Sequence, residues 1–376
     1  MQAYKGKYVF GFDVLRCVAI GLVVFSSLFF LVPNTQGIFS QLFSVAGVLG
    51  VEIFFVLSGF LMGQRLYDLY MNSEFSLKVV RKFLVKRAFR VLPLYYLAFL
   101  LNIGLCIYIA TKLPHGLWKY VLFVQNFTSG ISSSFFYESW PISIGVFTTI
   151  FGLITLYVLG NIKLSINRSR SFLIVVITII MLCLFAKIWY AFNDNIKTMV
   201  NWNNNLKTVV IYRFDTLFYG VLAAYLSLVF NRWWIRLKYL MVVLGMALLF
   251  FIYLIIPMKF LFIETNPMLW NVWYLPLNSI AIILCLPAIE QWKSSSALMA
   301  KPLRSLSATA YSIYIIHFSL IVTGLDYFFP IENLPVFDTV VYMIVYLSAL
   351  ILFGYIIHKM IEKPIMNFYT QRINNQ

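Results

Sequence analysis

Few side chains in this 376-residue sequence can run acid–base or group-transfer chemistry, and most of them stand inside apolar runs. Glu52 lies in GVLGVEIFFVLSGFLMG, among glycines at 47, 50, 59 and 63, and His317 lies in YSIYIIHFSL. The other histidines are His115, in a polar stretch, and His358, at the end of an apolar one. Asp13 and Arg16 are three residues apart in FDVLRCVAIGLVVFSS, within pairing reach on a helix. Arg213 and Asp215 open the segment YRFDTLFYGVLAA. An ionisable group in such surroundings is costly, so it marks either function or a buried pair. A carboxyl or an imidazole there can move a proton. By residue type alone, Glu52 is either functional or enclosed in a small-residue packing seam, and His317 is either functional or a hydrogen-bonded core histidine. Arg213 and Asp215 are either a structural pair or the wall of a polar pocket. Cys17, Cys106, Cys183 and Cys285 all sit in apolar runs, which excludes a disulfide framework. With the scattered histidines they give no metal-ligand spacing, so no metal is expected.

The elements that position these groups are membrane spans. Hydrophobic residues make up 62% and charged residues 11% of the chain, and mean hydropathy is +0.87. A soluble domain carries about a quarter charged residues, so this composition calls for lipid and also excludes intrinsic disorder. About ten segments are long and apolar enough to cross a bilayer: 12–32, 44–63, 91–111, 141–160, 171–191, 209–230, 239–257, 269–289, 309–329 and 336–358. Runs this long and continuous read as helices rather than barrel strands, so the fold expected is an all-α integral membrane bundle. The segment SLKVVRKFLVKRAFRVLP is basic with apolar residues at helical spacing and is expected at the membrane surface, with Pro93 marking the turn into the third span.

The net charge of +16 invites a nucleic-acid reading, but the basic residues form short clusters between apolar segments, so no nucleic-acid partner is expected. Most lysines and arginines, from Lys5 and Lys7 through Lys163 to Arg372, fall in the loops on the side of the N-terminus. Lys112, Lys119, Lys187, Lys197, Lys207 and Lys259 fall on the other. That asymmetry places both termini in the cytoplasm and predicts a multi-pass protein of the cell membrane, plasma or inner, with a retained first span and the lipid bilayer as its first partner. The longest polar stretches on the far side are Lys112–Pro141 and Asn193–Lys207.

The first helix with its D-x-LR, the segment GVEIFFVLSGFLM, the basic RAFRVLPLYYLAFLL, then RFDTLFYGVLAA, YSIYIIHFSLI and the closing IEKP together resemble the acyltransferase 3 family of membrane-bound acyltransferases. The resemblance covers residues 8–366, leaving a short tail at 367–376. It implies ten core helices and movement of an acyl group, often acetyl, from cytoplasmic acyl-CoA to a hydroxyl of a surface polysaccharide or glycolipid in the cell envelope. It also implies that Arg16, Lys86, Arg87 and Arg90 hold the donor, Arg87 and Arg90 matching an arginine motif of the family. Clustered arginine suits CoA phosphates on physical grounds. Anchoring to anionic lipid is the other use of such a cluster. Trp140, Arg213 and Asp215 are the candidates on the acceptor side.

Two positions depart from the family. Its first helix carries an arginine and, eleven residues on, a histidine. That spacing is three turns plus about 20°, so both project from one face about 16 Å apart. Counting from Arg16 reaches Ser27, and serine is no base at neutral pH without an activating partner. Many members also place a glutamate five residues after the tryptophan, where this chain has Gly145. Ser27 keeps its place in the candidate catalytic set on that alignment, with Glu52 and His317 as the groups able to replace the lost chemistry. The same losses leave open a non-catalytic relative that exports or binds a glycan.

Overall fold

The computed structural model describes residues 8–28, 38–72, 75–131, 135–162, 167–193, 198–259, 261–294, 296–330 and 335–374. Lys5, Lys7, Lys163 and Lys197 lie outside them. Among the described residues the fold is all-helical. Nine helices are long and apolar enough to cross a membrane: α1 (Phe10–Leu28), α2 (Val45–Met71), α3 (Leu77–Tyr108), α4 (Tyr137–Asn161), α5 (Arg168–Asn193), α7 (Lys238–Met258), α8 (Leu269–Gln291), α9 (Leu298–Phe328) and α10 (Phe337–Tyr369). The tenth candidate, α6, is a pair, Met199–Lys207 and Val210–Val229, bent by 86° at its break. The chain is thus a multi-pass membrane bundle. One end carries Arg16, Arg87, Arg90 and Arg304 and is called here the basic end.

Three expectations change. The basic segment before Pro93 is no separate surface helix: α3 runs unbroken through the proline for 32 residues. Pro93 costs the helix the bond its N–H would give to the Phe89 carbonyl, a loss tolerated in a packed bundle; two residues on, the Tyr311 hydroxyl donates to the Val91 carbonyl at 2.9 Å and ties α9 to this stretch. At 1.5 Å per residue α3 exceeds the hydrocarbon thickness by more than ten residues, which leaves its basic first turns outside the apolar layer. Lys187 is not in a loop but fully buried inside α5, where an acidic partner described below accounts for it. Finally, α9 begins at the basic end well before residue 309, so His317 lies nineteen residues beyond Leu298, about 28 Å along the helix, rather than near its start.

The bundle closes on the seam between α2 and α6, its most extensive helix contact. A Cβ on Gly59 would collide with the Leu217 carbonyl, and one on Gly220 with the Val56 carbonyl, so only glycine permits this approach in either helix. Gly59→Ala should therefore cost about 3 kcal/mol through overpacking. Gly104 has nothing within 4 Å of its Cβ position, and Gly104→Ala should be neutral or stabilising by up to about 1 kcal/mol. Thermal unfolding of both variants in detergent checks the contrast.

Candidate functional site

The glycine seam encloses Glu52. It is almost fully buried and receives three hydrogen bonds: the Arg213 guanidinium donates to Oε1, while the hydroxyls of Thr216 and Ser279 each donate to Oε2 at 3.1 Å. Arg213 also donates to Thr216 at 3.0 Å and lies 5.7 Å from the centre of the Phe55 ring. Two residues on, Asp215 accepts from the ammonium of Lys187 in a second fully buried ion pair. Arg213 and Asp215 therefore do not pair with each other. Each ties α6 to a different helix, Arg213 to α2 and Asp215 to α5. Both Glu52 oxygens are occupied, which suits an anchor better than a proton acceptor.

At the basic end, Arg16 donates to Asp13 at 3.1 Å, and Asp13 also accepts from the Ser307 hydroxyl of α9 at 2.6 Å. Lys86 and Arg90 are exposed, and Arg87 is half-buried on the same helix. Arg87 has no ion pair among the described residues. One Nη donates to the thioether of Met62 at 3.2 Å, and the other lies 3.8 Å from the Cβ position of Gly145. The residue lost at 145 therefore faces Arg87, and its replacement by glycine leaves that guanidinium uncompensated. A glutamate at 145 would meet a cation of the basic end.

His317 is organised by a residue that the sequence reading passed over. The helix of α9 widens into a π-helical turn at His317–Val322, a feature that frees backbone N–H groups and is frequent at functional sites. The N–H groups of Phe318 and Ser319 donate to Oε1 of Glu138, at 2.8 and 2.6 Å. Glu138 is 1% exposed and stands in the tight turn Tyr137–Ser139 that opens α4. The turn is set by Phe136, whose φ of 39° is left-handed and unusual for a bulky residue; the buried phenyl packs against Tyr95 at 5.2 Å. The Tyr314 hydroxyl donates to the Glu138 carbonyl at 3.2 Å, closing the connection from α9 back to the turn.

The imidazole has a defined tautomer. Its Nδ1 lies 2.5 Å from the Tyr314 carbonyl, and a carbonyl only accepts, so Nδ1 carries the proton and Nε2 is the basic nitrogen. Oε1 of Glu138 is 3.9 Å from Nδ1, placed to stabilise positive charge on the ring. Among the described residues the second oxygen, Oε2, has no hydrogen-bond partner, nor has the hydroxyl of Ser319. Ser27 is near the end of α1, buried, with its hydroxyl donating to the Val23 carbonyl at 3.2 Å. Beside it is the Tyr346 hydroxyl of α10. Trp140 is buried against Phe55 two residues from Glu138. The structure thus groups His317 with Glu138, leaves Glu52 in a separate network, and separates both from the basic end.

The arrangement can take a proton at Nε2 in a water-poor interior and hold an anion at the opposite end. The Glu52 network predicts its own signature. Arg213→Met strands a buried carboxylate and should cost about 3–5 kcal/mol, and adding Glu52→Gln should recover part of that loss. Thermal unfolding of the two singles and the double measures the coupling. A family model described as an acyltransferase domain matches residues 9–359. No curated protein and no solved structure matches the chain.

Proposed function

Since the chain belongs to the acyltransferase 3 family, we propose that it transfers an acyl group, acetyl foremost, from cytoplasmic acyl-CoA to a sugar hydroxyl of a surface polysaccharide or glycolipid. The basic end then faces the cytoplasm, in keeping with the loop charges. Arg87, with no carboxylate partner, and the exposed Lys86 and Arg90 offer charge-assisted hydrogen bonds to the donor's phosphates. Arg16, tied to Asp13 and Ser307, lines the same end.

The observation that carries the catalytic assignment is the Nδ1 contact to the Tyr314 carbonyl, which makes Nε2 the base. The acceptor hydroxyl gives its proton to Nε2 as its oxygen attacks the acyl carbon. The carbon–sulfur bond breaks, and the CoA thiolate leaves with the proton returned from the imidazolium. Glu138 stabilises that imidazolium from 3.9 Å. Ser27 neither accepts the proton nor attacks the acyl carbon in this scheme, because a serine hydroxyl is no base and nothing beside it among the described residues activates it as a nucleophile. Donor and base are close enough for the step. The bond from Tyr311 to Val91 sets the register of α9 on α3; Arg87 is four residues below it and His317 six above, about 15 Å in all. The flexible pantetheine arm of an acyl-CoA bridges such a gap.

Radiolabelled acetyl-CoA, purified protein in liposomes and an extract of surface glycans test the reading. His317→Ala should lower kcat by about 10²–10⁴-fold, whereas Arg87→Ala should act chiefly by raising the donor KM. Label transfer that survives His317→Ala in folded protein overturns the assignment of the base. Binding of glycan without any transfer by the wild type would favour the export or binding reading.

A further inference from the structure

Next to the His317 centre lies a set of polar groups that the transfer step does not use. Lys207 ends the first limb of α6 and is half-buried, its ammonium 5.7 Å from the centre of the Trp140 ring. Among the described residues it makes no ion pair. Glu52, the acid that acts on it electrostatically, already has both oxygens taken by Arg213, Thr216 and Ser279, and Arg213 adds like charge. A cation held this way in a membrane bundle calls for an anion.

A second observation points to the same place. The loop containing Gln125 and Asn126 is stapled to α6: the Val210 N–H donates to the Asn126 carbonyl at 2.9 Å, and Gly130 approaches Asn204 so closely that a Cβ there would strike the Asn204 carbonyl. Asn126 is fully buried, and its amide nitrogen donates to the carbonyls of Trp140 at 3.2 Å and Thr208 at 2.6 Å. Its amide oxygen must therefore point away from both, and among the described residues it meets no donor. Gln125, also buried, gives its amide nitrogen to Ser139 at 3.2 Å and Ser143 at 2.7 Å; the Tyr95 hydroxyl beside it donates to the Tyr120 carbonyl, and among the described residues the Gln125 oxygen meets no donor. Unmet buried acceptors are expensive. Among the described residues, a cation without an anion lies over Trp140, an amide whose oxygen has no donor is bonded to the Trp140 carbonyl, and a second such amide is held by Ser139 and Ser143, all on the turn that carries Glu138 or the first turns of α4.

The ligand that answers all three is an anion bearing hydroxyl groups. We propose that Lys207, Asn126 and Gln125 form an acceptor subsite for an acidic sugar unit, its charge supplied by a carboxylate or a phosphate. As an acceptor subsite this rests on the acyl-transfer reading, but the binding does not. It places the acceptor's charged group over Trp140 and a hydroxyl toward His317, so Lys207 determines which glycan is modified.

Equilibrium binding to the full chain in nanodiscs tests it, with three probes: a uronic-acid oligosaccharide, a neutral oligosaccharide of the same length, and a hexose 1-phosphate. The wild type should bind an anionic probe in preference to the neutral one. Lys207→Met and Lys207→Gln should each weaken that binding about tenfold or more, Lys207→Arg should retain most of it, and neutral-probe binding should not change. The tighter of the two anionic probes identifies carboxylate or phosphate. Equal affinity for neutral and anionic probes, or anion binding indifferent to both neutral substitutions, overturns the proposal. Lys207-dependent binding without acyl transfer would remove the enzymatic reading and leave the subsite standing. Transfer to the anionic acceptor that is as fast in Lys207→Gln as in the wild type would do the reverse.

Discussion

A carboxylate inside a lipid-embedded bundle must receive its hydrogen bonds from the chain itself, because no water is at hand to supply them. The Glu52–Arg213 contact meets that demand at the α2–α6 seam, and much else follows from it. The glycines at 59 and 220 bring the two backbones together, and Thr216 and Ser279 complete the acceptor set, drawing α8 onto the same point. The Lys187–Asp215 pair fixes α5 to the start of the same α6 segment. With α6 held on three sides, its bent first limb can lie over Trp140, and the loop before α4 can be stapled to it.

Glu52 and Glu138 show how one side-chain type serves two ends. Both are about 1% exposed. Both oxygens of Glu52 are satisfied, Oε1 by the permanent cation of Arg213 and Oε2 by two hydroxyls, an arrangement that resists change. Glu138 has one oxygen fixed by two backbone N–H groups and 3.9 Å from the His317 ring, and the other without a hydrogen-bond partner among the described residues. Such a carboxylate is rigid in position yet responsive to charge appearing on its neighbour, which is the property a base dyad needs. The π-helical turn makes it possible, since a regular α-helix would have no spare N–H groups at residues 318 and 319.

Much of this was legible in advance. Apolar runs locate the helices because only a backbone bonded to itself crosses lipid, and the pairing of Asp13 with Arg16 follows from their spacing. Helix ends were less readable: nothing in composition forbids α3 from continuing through Pro93 or α9 from starting near Leu298, and the depth of His317 shifted accordingly. Lys187 read as a loop residue because its partner, Asp215, is distant in sequence. Glu138 escaped notice because it stands in a polar stretch, where a glutamate carries no signal. Only the left-handed Phe136 and the approach of α9 bury it. Gly145 read as a lost catalytic acid, but its neighbour is Arg87, so the loss concerns charge at the basic end.

The most direct measurement is steady-state acyl transfer from acetyl-CoA by Glu138→Gln, which keeps the shape of the turn while removing the charge beside His317. With the variant shown to be folded, the account predicts a fall in kcat of about 10²-fold with the donor KM unchanged, and partial recovery in Glu138→Asp. A wild-type kcat in Glu138→Gln would contradict it.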